Sequence, residues 1–290
     1  MGKILDFYDK QYKKLLVIPF LILVLALVII GSTYYSTGEF VNKGVSLKGG
    51  STITISKALD INILENQLRT EFPGADLTVR SLTSAGRVVA VAIDSDAQEN
   101  QEIKALTDFL EEKLSLEKGD YGVETMGSSL GSSFFKQTIV ALIIAFFLMG
   151  IVVFIYFRTL APSLAVMLAA ASDIVVTLAI FNLTGMKLGT AGIAAFLMLI
   201  GYSVDTDMLL SARVLKRREG TVMERVLGAM KTGMTMSATT LTAIIVGLIF
   251  VQSEVIKQIM IILLIGLLVD LVMTWIQNVG ILRLYLEKKK

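Results

Sequence analysis

Four carboxylates stand where a chain this apolar has little reason to carry charge: Asp173, Asp205, Asp207 and Asp270. Asp205 and Asp207 fall in Gly201-Tyr-Ser-Val-Asp-Thr-Asp-Met-Leu-Leu-Ser-Ala-Arg213, closing an apolar run that begins near Gly189. Asp173 and Asp270 sit near the middle of two further apolar runs. On insertion scales a central Asp costs about 2.5–3.5 kcal/mol, against about 0.3–0.6 gained per Leu, Ile, Phe or Val. A plain anchor gains nothing from that cost. Acids inside a membrane face a bundle interior or a wet path, where they carry protons or ions. The competing reading puts one or both of Asp205 and Asp207 near the cytoplasmic headgroups, because Arg213 follows closely.

Asp205 and Asp207 are two residues apart, so at roughly 100° per residue they point to opposite faces of a helix. One then faces this chain's own bundle and the other a partner subunit; the spacing alone does not say which. No basic residue lies at comparable depth, and paired carboxylates in a low dielectric favour holding and exchanging a proton. Ser172, Thr177, Tyr202, Ser203, Thr206, Ser237, Thr239, Thr240 and Thr242 are polar companions for such a path. Taken singly, each hydroxyl is also an ordinary interhelical hydrogen bond.

Composition narrows the chemistry further. The chain has 290 residues, 54% of them apolar, and a mean hydropathy of +0.71, which marks an integral membrane protein. A net charge of +2 implies no nucleic-acid partner. There is no Cys and no His, which removes thiolate and imidazole ligands and the usual neutral-pH base. No phosphate-cradling Gly-Lys-Ser/Thr loop appears, and neither a metal nor a cofactor is expected. Nothing resembles an enzyme's nucleophile–base pair.

The elements that must position these acids can be read in order. Residues 1–14 are short and basic, and 15–35 form an apolar run long enough to span, read as an uncleaved first helix. From 36 to 133 the composition becomes that of a soluble domain. Strand 51–56, a helix capped by Asp60 and stopped by Pro73-Gly74, and strands 76–82 and 87–93 joined as a hairpin around 84–86 come first. A helix opened by an Asp96/Glu99 capping box and a last strand at 121–126 complete the order β-α-β-β-α-β, the ferredoxin-like pattern. Further spans are expected at 138–157, 163–181, 189–210, 234–251 and 259–282, six in all with the first. The basic loop 211–233 contains Val222, Met223, Val226, Leu227 and Met230 at helical spacing. It reads either as an amphipathic helix on the membrane face or as a core-facing helix end.

Lys and Arg collect in the amino-terminal segment, at Arg158, between 213 and 231, at Arg283 and in the 283–290 tail, while the opposite short loops hold Lys187 and Lys257. The basic side is expected to be cytoplasmic, which places both termini inside and 36–133 outside the cell membrane.

Several motifs together resemble a known family. Gly201-Tyr-Ser-Val-Asp-Thr-Asp207, followed by Lys231-Thr-Gly-Met-Thr-Met-Ser-Ala-Thr-Thr240, is similar to the fourth and fifth helices of the SecF family of protein-export membrane subunits, in its archaeal form. Gly44-Val-Ser-Leu-Lys-Gly-Gly50 resembles that family's Gly-x-Asp-Phe-x-Gly-Gly signature, and Met126-Gly-Ser-Ser-Leu-Gly131 its Gly-Pro-x-Leu-Gly element. The resemblance implies an outer-domain signature at Gly44, Gly49 and Gly50. It also implies pairing with SecD into a twelve-helix unit of the resistance-nodulation-division superfamily, beside the Sec translocon channel and its translocating polypeptide, within membrane lipid. In bacterial relatives the unit is thought to use the proton gradient. The chain departs from the family pattern where Ser46 replaces Asp, and where Asp205 and Thr206 stand in the Asn and Asp places. Candidate coupling residues are therefore Asp205, Asp207, Asp173, Asp270, Thr206 and Ser203. Two other functions are carried alongside: a passive assembly or chaperone-like subunit whose acids fix helix register, and a small-molecule or lipid exporter of the same superfamily.

Overall fold

The structure is a computed structural model that describes residues 7–84, 87–117, 119–216, 219–251 and 253–288. After a short helical turn, Tyr12–Leu15, helix α1 (Val17–Thr37) is apolar all round and buries only Pro19 and Ala26, as a lipid-facing span does. Gly38 ends it with φ at 74°, a left-handed cap open to a residue without Cβ.

A small domain follows. Its elements are β1 (Gly50–Ile55), α2 (Ile61–Glu71), β2 (Thr78–Ser84), β3 (Arg87–Ser95), α3 (Asn100–Leu114) and β4 (Tyr121–Met126). The sheet order is β2-β3-β1-β4 with every neighbour antiparallel, which is the ferredoxin-like topology. Alternation along β1 turns Ile53 and Ile55 inward against Leu64 and Leu68 of α2 and Leu106 and Leu110 of α3. Asp60 caps α2 by accepting from the Asn62 and Ile63 amides. The capping box of α3 is Glu99 with Glu102, not Asp96 with Glu99. β3 runs on to Ser95, and residues 96–98 are needed to turn the chain into the helix. Asp96 instead accepts from the Asp76 amide at 3.0 Å. The expected hairpin tip includes Ala85 and Gly86, and the next turn Lys118; all three lie outside the described residues.

The remaining helices build the membrane bundle. They are α4 (Ser128–Phe157), α5 (Leu160–Leu183), α6 (Thr190–Lys216), α7 (Val222–Phe250), α8 (Glu254–Val272) and α9 (Val279–Lys288). A widened π-turn, Met273–Asn278, joins α8 to α9 as one rod. With α1 this gives, among the described residues, six helices long and apolar enough to cross a membrane. α5, α6 and the α8–α9 rod form the centre, while α1, α4 and α7 present most of their length outward. α4 starts ten residues before the apolar run does, because 128–137 is polar yet continues the helix directly from β4 through Gly127. The segment 222–231 is the first part of α7. Val226 and Ala229 are buried there against Trp275 and Val279, so it is a core-facing helix end and not a separate surface helix.

Candidate functional site

The bundle centre gathers three acids. Asp173 lies on α5 after the small residues Ala169 and Ala170, which let neighbouring helices approach. Ser203 and Asp207 are one turn apart on the inner face of α6. Asp270, Thr274 and Asn278 follow at four-residue steps down the α8–α9 rod. All six side chains are fully buried.

Their contacts form one network. Ser203 Oγ donates to Asp173 Oδ2. Thr274 Oγ1 lies 2.9 Å from Asp270 Oδ1 and 3.0 Å from Asp207 Oδ1, and Asn278 Nδ2 donates to the same Asp207 oxygen at 2.7 Å. The Asp173 and Asp270 carboxyls lie within reach of each other. Beside them Gln277 Nε2 donates to Ser172 Oγ at 3.1 Å, linking the rod to α5. Among the described residues, none of the ion pairs reaches these three carboxyls.

The widened turn explains how three residues at four-residue spacing share one side. In an ideal helix Asn278 would lie about 80° round from Asp270. A turn closed by i→i+5 bonds advances less per residue and brings the three back toward one line. The network is also short of hydrogens. Thr274 carries one hydroxyl hydrogen and has two carboxylate oxygens to serve. Asp173 Oδ1, Asp207 Oδ2 and Asp270 Oδ2 have no donor at all among the described residues.

Asp205 lies elsewhere. It is exposed on the outer face of α6, while Asp207 is buried on the inner one. On that outer side the Tyr202 hydroxyl donates to Ser237 Oγ at 3.1 Å, tying α6 to α7. Thr206 is buried but spends its hydroxyl on the Tyr202 carbonyl, apart from the acids. Of the six candidates, Asp173, Ser203, Asp207 and Asp270 are brought together. Thr274, Gln277 and Asn278 join them without having been singled out. Their signal was present: polar residues at four, seven and eight places after an intramembrane Asp.

The glycine signature serves a different purpose. Gly44 donates its amide to the Leu188 carbonyl at 2.8 Å, and Leu188 donates to Asn42 at 2.7 Å, joining the domain to the α5–α6 loop. Gly49 and Gly50 have φ at 91° and 135°, and a Cβ there would fall 2.4 Å from Ser128 Cα and 2.1 Å from the Ser95 carbonyl oxygen. A Cβ on Gly131 of α4 would fall 3.0 Å from the Gly49 nitrogen and 3.2 Å from the Leu47 carbonyl. The two glycine motifs therefore pack on each other as a joint between sheet and bundle. Beside it Asp76 pairs with Lys187 at 2.8 Å and Lys48 at 3.7 Å. Partial burial raises the Asp76 carboxyl, but the two lysines outweigh it and hold it below the usual carboxylate range.

Comparison with known proteins bears on what this arrangement belongs to. A family model described as "Protein export membrane protein SecD/SecF, C-terminal" matches residues 106–288. A protein-export membrane protein SecF of Pyrococcus furiosus is 38% identical over 285 residues, covering 96% of this chain and 92% of its own length. Its counterpart from Methanothermobacter thermautotrophicus is 39% identical over 291 residues, covering 98% and 96%. The chain belongs to the SecF family of protein-export membrane proteins. As a family member it is a protein-export subunit of the SecDF type. The crystal structure of the translocon-associated membrane protein SecDF of Thermus thermophilus superposes with a TM-score of 0.72 at 18% identity, over 96% of this chain. The match covers 38% of that longer polypeptide, so this chain corresponds to one part of it. At that identity the likeness carries the fold: six helices with a small domain after the first.

Proposed function

We propose that this SecF-family chain couples protein export to proton movement through the Asp173–Asp207–Asp270 cluster, as the partner of a SecD-type subunit beside the Sec translocon. The observation that carries this reading is the hydrogen shortfall around Thr274. A hydroxyl between two carboxylates donates to one and accepts from the other, and the second must then bring its own hydrogen. Three buried carboxylates without a cation are costly, and holding a hydrogen removes charge from the interior. Loading and unloading that hydrogen changes which contacts Thr274 and Asn278 make, and so which register of α6 against the rod is favoured. A charge crossing 100 mV supplies about 2.3 kcal/mol, enough to bias such a two-state element.

Asp205 supports the partner assignment. An ionisable group at membrane depth is not left against lipid, so the outer face of α6 and α7 is the surface a SecD-type subunit covers. The Lys and Arg distribution supports cytoplasmic termini and an outer ferredoxin-like domain in the cell membrane. The chain acts by motion and contact with the translocating polypeptide, not as an enzyme.

Depleting the chain from cells is expected to accumulate unexported precursors, and a plasmid copy to clear them. Asp205→Ala is expected to reduce co-purification of the SecD-type subunit at least severalfold. Unimpaired export after depletion would remove the export role, and full co-purification from the variant would move the interface to another face.

A further inference from the structure

Residues 7–16 lie along the end of the α8–α9 rod in a way that reaches the acid cluster. The Tyr8 hydroxyl donates to the main-chain carbonyl of Trp275, inside the widened turn. The Tyr8 side chain packs with Leu210, Trp275 and Val279. Asp9 holds Arg283, which donates through Nη2 to Asp9 Oδ1 at 2.5 Å and to its carbonyl at 3.1 Å. The Arg283 guanidinium lies 4.1 Å from the Tyr12 ring centre. Leu16 sits over Gly280, where a Cβ would fall 2.3 Å from Leu16 Cδ1, so the two segments touch backbone to side chain. Lys13 and Glu287 also pair at 2.9 Å, but both are exposed and add little.

A π-turn is rare, packs less regularly than an α-helix, and persists where something holds it. A side chain bonding into the main-chain ladder is one such device. Trp275 is next to Thr274, whose hydroxyl bridges Asp207 and Asp270, and the Trp275 ring rests on Gly233 of α7, where a Cβ would fall 2.3 Å from the ring. The carbonyl that Tyr8 grips therefore sits one residue from the bridge between two acids. Burial pushes the Tyr8 phenol up against the opposing pull of Arg283, so it remains a hydrogen donor.

We infer that Tyr8 is a positioning residue: its hydroxyl on the Trp275 carbonyl holds the widened turn in the register that presents Thr274 and Asn278 to Asp207 and Asp270. The clamp is a property of the geometry; its consequence for export rests on the proton-coupling reading above. Among the described residues before the first span, Tyr8 is then the one whose hydroxyl reaches the widened turn.

Amide hydrogen exchange on the full chain in lipid bilayers tests this. Tyr8→Phe keeps the ring and removes the hydroxyl, and is expected to raise exchange across 270–283 roughly three- to tenfold, leaving 160–183 unchanged. Unchanged exchange across 270–283 would overturn the clamp. Should Tyr8→Phe loosen α5 as well, Asp9→Ala decides, since it removes the carboxylate that Arg283 grips and weakens the segment's hold on the rod while keeping the Tyr8 side chain. A rise confined to 270–283 supports the clamp and no rise overturns it. Raised exchange in Tyr8→Phe together with normal export from Asp207→Asn would sink the proton reading and leave the clamp standing.

Discussion

Replacing Gly50 with alanine is expected to destabilise the sheet of the small domain. At φ of 135° an L side chain is strained, and its Cβ would lie 2.1 Å from the Ser95 carbonyl oxygen and 3.2 Å from Asp96 Cα. Both obstacles are backbone, in a sheet paired on both sides of β1, so neither can swing away as a side chain would. Strain at such a position costs about 1–3 kcal/mol and overpacking a similar amount, so the sum approaches the whole stability of a small domain. Gly122 in β4 is the control, because its Cβ would meet nothing within 4 Å. Limited proteolysis of 36–60 and thermal unfolding should separate the two: Gly50→Ala cut rapidly and melting early, Gly122→Ala close to the parent. A Gly50→Ala protein as resistant as the parent would contradict the requirement for glycine at the start of β1.

The second large effect is expected at Thr274. Thr274→Val keeps the shape and removes the hydroxyl, so the carboxylate it donates to loses that donor and the one that brings its own hydrogen loses its acceptor. Orphaning a buried polar group costs about 1–3 kcal/mol, and more where charge is involved. Thr274→Ser retains the donor and should stay near the parent in melting temperature, with Thr274→Val several degrees below it. Export should follow the same order. Equal stability and equal export from the Val and Ser variants would mean that the hydroxyl bridge is not used.

Much of this architecture was legible beforehand, and the gaps have physical causes. Apolar run length reports helices that cross a membrane, and alternation in 51–56 reports β1, because both signals come from side-chain burial. α4 and α7 start before the apolar runs at 138–157 and 234–251 do, because a helix continues by main-chain hydrogen bonding after its hydropathy has faded. The spacing of Asp96 and Glu99 fits a cap, but the extension of β3 to Ser95 moves the cap to Glu99. Angular arithmetic placed Asp205 and Asp207 on opposite faces without saying which faces inward; only packing against α5 and α8 decides that. The π-turn leaves no mark in apolar periodicity, so the shared side of Asp270, Thr274 and Asn278 could not be read. The Gly49-Gly50 pair suggested a signature, and the three-dimensional contacts show why only glycine fits there.

The most direct measurement is export in cells whose only copy carries Asp207→Asn, Asp270→Asn or both, with membrane insertion and association with the SecD-type subunit followed in the same cells. Asn keeps the volume and hydrogen bonding of each site but cannot release a proton. The account predicts that export falls at least tenfold while insertion and association persist. Normal export from the double variant would contradict it, leaving three buried acids that fix helix register and nothing more.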